Sequence, residues 1–219
     1  MPFGIGKSAT ETTNPLLARF GLRRRDVSAP ALQALEALAA ECEELGERLS
    51  VAEALADRDT LTPTLNRRAF LRELHRTMSE VERYKTPAAV IYFDLDGFKA
   101  INDSHGHAAG DAVLRHVGRL LGDMVRESDV VGRLGGDEFG VILNRAPADE
   151  ARSKAAMLGD AINHTAIVHV GVAHRIRASV GVHVVALAEE PETAIARADE
   201  AMYADKHARR IDAQAFASF

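Results

Sequence analysis

Residues 88–94 read Ala-Ala-Val-Ile-Tyr-Phe-Asp, an unbroken apolar run that stops at a carboxylate. A strand that is apolar on both faces has no solvent side, so it belongs at the centre of a sheet covered above and below. Pro87 closes the connection before it, and Arg68 to about Lys85 sets Phe70, Leu71, Leu74, Met78 and Val81 along one side of a helix. Ala109–Met124 is a second amphipathic helix, and Val130–Arg133 with Phe139–Leu143 reads as two strands about a turn. Asp149–Asn163 reads as helix, His164–Val172 and Ile176–Val185 as strands, and Pro191–Arg210 as the last helix. Helices alternating with strands and hairpins over one sheet predict an α+β fold, with the central sheet flanked by helices.

Upstream the text changes character. Residues 1–30 mix Gly, Ser, Thr and Pro with a basic triplet, Arg23-Arg24-Arg25, and read as irregular apart from one short helix near Leu16–Phe20. Residues 31–57 are strong helix formers without proline. Leu35, Leu38, Cys42, Leu45, Leu49, Ala52 and Ala56 alternate at steps of three and four, the spacing of a heptad seam. Such a stripe must be buried, either on its own domain or against a second copy, and a dimerising two-stranded coiled coil is the expectation. Residues 58–215 then form the main domain.

Composition narrows the functional classes. The 219 residues suffice for one well-cored domain plus an appendage. A net charge of -5 argues against a protein whose main partner is nucleic acid. The lone Cys42 excludes an internal disulfide and a cysteine-rich metal site, which fits a reducing compartment. No segment reaches the roughly 18 continuous apolar residues of a membrane span, and the start of the chain lacks a signal-peptide core, so a cytoplasmic location is expected.

Chemistry concentrates in two places. Asp94 ends the buried strand, where open α/β sheets place ligands. Residues 133–139, Arg-Leu-Gly-Gly-Asp-Glu-Phe, put Asp137 and Glu138 straight after two glycines at a hairpin turn. If that turn lies beside Asp94, the like charges need a cation, and oxygen ligands without imidazole or thiolate fit Mg2+ rather than zinc. The glycines allow a tight turn and leave room for a phosphate. Gly97-Phe98-Lys99 follows the strand as a short loop whose N–H groups and ammonium suit terminal phosphates.

Five segments in fixed order carry a resemblance: DTLTPTLNRR at 59–68, FDLDGFKAINDSHGHAAGD at 93–111, RESD at 126–129, GRLGGDEF at 132–139 and ADEAMYADKHARR at 198–210. Together they resemble the GGDEF family, the bacterial diguanylate cyclases. The resemblance implies a cyclase-like fold akin to the polymerase palm, with the N-terminal helix as a stalk. It implies that Asp94, Asp137 and the Leu95 carbonyl bind two Mg2+ ions, Mn2+ being a possible substitute, and that Glu138 supports catalysis. It further implies that Asn102 and Asp111 read guanine, and that Gly97, Phe98, Lys99, Lys206 and Arg210 hold phosphates. Guanine presents an N1–H and N2–H donor pair that adenine lacks, which suits a carboxylate reader.

The implied reaction is two-metal phosphoryl transfer that condenses two GTP into cyclic di-GMP and two pyrophosphates across a homodimer. Arg126 and Asp129 match the family's product-inhibition motif, so cyclic di-GMP is expected as inhibitor as well as product. Read from spacing alone, the same two residues also form an i,i+3 surface ion pair, and Lys206 with Arg210 also suit a helix C-terminus. With no sensor domain recognisable, a regulatory protein docking on the N-terminal helix is one candidate input. Pro63 stands where the family usually has glycine, and Arg209 and Ile211 replace the glycine and asparagine that usually flank the last arginine. None of these departures removes a metal-binding or base-reading residue.

Overall fold

A computed structural model describes residues 14–216, and the chain divides into two units, Met1–Ala56 and Asp57–Phe219. In the first, helix α1 (Pro15–Arg19) is capped by Asn14, whose side-chain oxygen accepts the N–H groups of Leu16 and Leu17 at 3.0 and 3.3 Å. Asn14 also donates to Glu36 Oε1 at 2.9 Å, which ties this short helix to α2 (Ala29–Ala56). The long helix starts two residues earlier than expected, because Pro30 is tolerated in a first turn whose N–H groups lack intrahelical partners anyway. Its seam is uncovered in the single chain: Leu38, Leu45 and Leu49 are 57%, 53% and 60% exposed.

The second unit is a five-stranded sheet in the order β1-β3-β4-β2-β7, comprising Leu65–Asn66, Val130–Arg133, Glu138–Asn144, Ala88–Asp96 and Arg177–Val184. The apolar run at 88–93 occupies the interior strand β2, antiparallel to β4 on one side and to β7 on the other. Period-two alternation sends Ile91, Phe93 and Leu95 into one core, with Phe139 and Val141 beside them. There they meet Val113, Val117 and Leu121 of α5 (His107–Met124) and Leu158 and Ile162 of α6 (Ala148–His164). Val90 and Tyr92 face the opposite core, with Phe70 and Leu74 of α3 (Arg67–Tyr84) and Ala198 and Met202 of α7 (Pro191–Phe216). The sheet is therefore a filled middle layer, as its double-sided apolarity predicted.

Three readings of the sequence need correction. Gly97-Phe98-Lys99, expected as a short loop, instead opens a helix, α4 (Phe98–His105), because Gly97 at φ 77° turns the chain sharply enough to start one at once. The expected strand 164–172 is interrupted: β5 (Ala166–His169) and β6 (Val172–Arg175) form a separate two-stranded hairpin. Its two turn residues, Val170 and Gly171, both have positive φ, 47° and 77°. A run of β-branched residues hid that turn. Finally, α7 continues beyond Arg210 to Phe216. Among the described residues no helix is long and apolar enough to cross a membrane.

Glycine decides how closely the layers approach at two places. A methyl at Gly140 would lie 2.7 Å from the Phe70 ring and 2.8 Å from Leu134, so the bare strand makes room for the aromatic ring. A methyl at Gly181 on β7 would collide with the backbone of α7 at Ala198 and Met202. Helix and strand backbones are therefore in direct contact there.

The β3–β4 hairpin is braced from the start of the unit. Arg133 Nη1 donates to Asp59 Oδ1 at 3.2 Å, with both side chains 16% exposed, and its Nη2 donates to the Gly136 carbonyl at 2.7 Å. Asp59 also accepts from the Thr62 N–H at 2.8 Å and from the Thr62 hydroxyl at 2.7 Å. Burial alone would raise the Asp59 pKa, but the bonds from Thr62 and Arg133 outweigh it and hold the carboxyl below its ordinary value of 3.8.

Two outcomes follow from these contacts. Val170→Asn, which suits a positive φ in a tight hairpin, is expected to raise the unfolding free energy by about 1 kcal/mol in urea titrations. Asp59→Asn is expected to lower it by about 1–3 kcal/mol at pH 7, since charge-assisted bonds to a half-buried guanidinium are lost. A depressed folded-state pKa contributes stability above the unfolded value and loses it as pH falls through the folded value. The wild-type advantage over the Asn variant should therefore persist down to about pH 4 and narrow only below it.

Candidate functional site at the carboxyl end of the central strand

The last turns of β2 carry the carboxylates. Asp94 lies opposite Glu138 of β4 and Ser179 of β7 in the pairing register. Because side chains alternate, Asp94 and Asp96 share the face that Tyr92 occupies, while Leu95 points into the other core. The Gly-Gly turn closes beside them. Leu134 donates its N–H to the Glu138 carbonyl at 2.8 Å, and the Leu95 N–H donates to the Asp137 carbonyl at 3.2 Å. That second bond joins the turn to the end of β2 and brings Asp137 to Asp94.

The electrostatics follow. Burial first, and then the neighbouring Asp94 charge, push the Asp137 pKa above the ordinary carboxylate value, against the pull of Lys206 and Arg133. Lys206 of α7 supplies a counter-charge. Its ammonium binds Asp94 Oδ1 directly and lies 3.0 Å from Asp96 Oδ1. Burial disfavours this ammonium, yet its bonds to Asp94 and Asp96 prevail and hold its pKa above the usual lysine value. Asp96 is fixed in turn, its Oδ2 accepting a 2.8 Å bond from the hydroxyl of Ser179, which is 1% exposed.

Glu138 serves the site differently from Asp137. It lies on the same face as the buried Tyr92, whose hydroxyl pKa is raised by burial first and then by the Glu138 charge. Gly135 leaves the space that the Glu138 carboxylate needs, since a methyl there would overlap it.

Asp94, Asp137 and the Leu95 main chain therefore meet at one place, and the local excess of negative charge suits a divalent cation. Among the described residues no group of three His, Cys, Asp or Glu side chains forms a closed metal cage. The donors present are hard carboxylate and main-chain oxygens, which suit a divalent cation whose remaining ligands come from outside the chain.

The other predicted residues sit nearby on α4 and α5. Gly97 has no side chain to cap α4, so the first-turn N–H groups at Phe98 and Lys99 have no side-chain cap, and Lys99 is exposed. Phe98 packs partly against the core. The Asn102 carboxamide lies against α5 where Gly110 lacks a side chain; a methyl there would overlap Asn102 Oδ1. This places Asn102 next to the residue preceding Asp111. The Asp111 carboxylate is 3.5 Å from Arg115 Nη2, one helical turn on, and both remain partly exposed. Arg210 falls within α7, but its side chain lies outside the described residues.

Arg126 and Asp129 stand apart from this cluster, in the connection between α5 and β3. Asp129 accepts the Arg126 N–H at 3.0 Å and the Asn144 N–H at 3.1 Å, so its carboxylate organises the turn. The pair lines a cavity of about 460 Å³ with Asn144, Asp149, Ser153 and Lys154. The Arg126 side chain is exposed at its rim.

Sequence reasoning missed Asp96, Ser179 and Tyr92. Asp96 was within reach, because a second carboxylate two residues after Asp94 in a strand must share its face. Ser179 and Tyr92 gave no signal, since only the strand register sets them beside the acids.

Comparison with known proteins gives the family. The family model "Diguanylate cyclase, GGDEF domain" matches residues 56–211. The probable diguanylate cyclase DgcE of Escherichia coli K12 is 39% identical over 156 residues, covering 71% of this chain and 14% of that protein. Diguanylate cyclase DosC of the same strain is 36% identical over 153 residues, 69% of this chain and 33% of that protein. The chain thus spans a third or less of the length of these relatives. The coiled coil and GGDEF domain of DgcB from Caulobacter crescentus, solved in complex with c-di-GMP, superposes with a TM-score of 0.72 at 30% identity, covering 81% of this chain and 95% of that one. Diguanylate cyclase SiaD of Pseudomonas aeruginosa, solved with its activator SiaC, gives 0.68 at 30% identity, covering 81% of this chain and 70% of that one. The family match and the paired acids at the end of β2 lead to one conclusion: this chain belongs to the GGDEF domain family.

Proposed function

We propose that this chain is a diguanylate cyclase, condensing two GTP into cyclic di-GMP with release of two pyrophosphates. The observation that carries the reading is the meeting of Asp94 and Asp137 at the end of β2, with cationic side chains around them. Relatives named as diguanylate cyclases and a structural neighbour solved with c-di-GMP support it.

In this reading Asp94, Asp137 and the Leu95 carbonyl hold Mg2+, or Mn2+ in its place. When bound, such ions lower the pKa of the attacking hydroxyl and offset phosphate charge. The chain's own residues do the positioning. Asp111 accepts from the guanine N1–H and N2–H, and the Asn102 amide donates to a ring acceptor, so adenine leaves a carboxylate unpaired and is rejected. The N–H groups around Gly97 and Phe98, with Lys99, Lys206 and Arg210, hold the triphosphate. Glu138, beside Tyr92, adds negative potential near the reacting groups.

One domain holds one GTP, so two copies must face each other antiparallel. The 3′-hydroxyl oxygen of each nucleotide forms a bond to the α-phosphorus of the other. The α–β bridging P–O bond breaks, its electrons leave with pyrophosphate, and the hydroxyl proton passes to solvent. The exposed leucine seam of α2 supports a homodimer that raises the effective concentration of one half-site near the other. That the structural neighbour SiaD was solved with its activator SiaC supports a regulatory protein partner, for which the exposed seam of α2 is the surface we assign. GTP as substrate and the absence of a spanning helix among the described residues fit a cytoplasmic setting. The cavity beside Arg126 and Asp129 supports product inhibition, with the guanidinium rather than the turn-bound carboxylate as the mobile partner.

Purified protein given GTP and Mg2+ should yield cyclic di-GMP and pyrophosphate at a rate rising faster than linearly with protein concentration. Asp137→Ala should lower that rate by at least about 100-fold with an unchanged circular dichroism spectrum. GTP binding without product at any concentration would mark an effector module instead. Added cyclic di-GMP should slow the wild-type protein, and Arg126→Ala should lose that response; equal inhibition of both would remove Arg126 from the regulatory site.

A further inference from the structure

Lys206 touches two acids of different standing. Asp94 is the carboxylate that a divalent cation would claim, and Lys206 already binds its Oδ1. An ammonium and a metal ion cannot share that oxygen at full strength, so entry of one weakens the hold of the other. Asp96 lies on the same face two residues on, 3.0 Å from the same ammonium, with its other oxygen fixed by the buried Ser179 hydroxyl. Asp96 thus offers Lys206 a partner that is held in place whether or not Asp94 is engaged. The three side chains are only 20–29% exposed, so the contacts are weakly screened. The direct contact of α7 with Gly181 limits how far Lys206 could otherwise withdraw.

The geometry assigns Asp96, anchored by Ser179, as a positioning residue that retains Lys206 at the site while Asp94 passes from the ammonium to a divalent cation. Lys206 is a stand-in cation in the metal-free protein and turns to phosphate when Asp94 is taken. The assignment rests on the proposed reading of the site and adds two residues and an order of events to it.

The test is a double-mutant cycle on the full chain with Lys206→Met, Asp96→Asn and both together, each checked by circular dichroism. Two ligands are titrated. Free Mn2+ without nucleotide is followed by electron paramagnetic resonance. 3′-Deoxy-GTP with Mg2+, which lacks the attacking hydroxyl, is followed by calorimetry. Lys206→Met should bind free Mn2+ about threefold or more tighter, because its competitor is gone, yet bind 3′-deoxy-GTP about tenfold weaker. Asp96→Asn should weaken 3′-deoxy-GTP binding in the wild-type background and add little to Lys206→Met. It should also weaken Mn2+ binding more when Lys206 is present than when it is absent. The plain loss of one negative charge is common to both backgrounds and cancels in the cycle. Ser179→Ala should give a smaller version of the Asp96→Asn result. Additive losses in the double variant, or Mn2+ affinity unchanged by Lys206→Met, would overturn the assignment. If wild type binds no 3′-deoxy-GTP the substrate reading fails, while the Mn2+ cycle still decides the role of Asp96.

Discussion

Two carboxylates at the end of one buried strand and a third in the adjoining turn would be repelled as like charges approach, and the surrounding structure is arranged around that repulsion. The twofold alternation of β2 sets Asp94 and Asp96 on one face, and the main-chain bond from Leu95 to Asp137 brings Asp137 beside Asp94. Partial burial makes the charge more costly, as the raised Asp137 pKa records. The ammonium of Lys206, the Ser179 hydroxyl and the Arg133 guanidinium each offset part of it. What remains is a site with a deficit of positive charge, which is the condition for taking up a cation.

Backbone proximity makes that arrangement possible. Lys206 reaches the acids because α7 rests directly on Gly181, and any side chain there would lift the helix. Gly140 and Gly132 do the same for α3 by admitting Phe70 against the hairpin strands, which holds the turn from behind. Asp59 and Arg133 then clamp the turn from the side through the Gly136 carbonyl. A site made of charged groups is in this way positioned by apolar packing, by main-chain bonds and by the Asp59–Arg133 ion pair at its edge.

Charge-bearing motifs and layer architecture were legible because each has a local physical cause. A double-sided apolar run must be an interior strand, and amphipathic helices on either side must cover it. Glycines before paired acids must turn. The helix at Phe98–His105 was not legible, since its start depends on one positive φ at Gly97 rather than on a capping side chain. The Val170–Gly171 turn was hidden for the opposite reason, as valine is a strand former held there in a conformation it rarely takes.

The sequence by itself determined where the charged and polar motifs stand: Asp94, Asp137, Asn102, Asp111 and Lys206 all fall in segments that can be read along the chain. It also determined the central strand and the heptad seam, because periodicity is a property of neighbours in sequence. Only the tertiary structure decided who partners whom. Lys206 is 112 residues from Asp94, and Ser179 is 83 from Asp96. Such pairs form through strand register and helix approach, which depend on packing between distant segments and leave no periodic trace in the sequence.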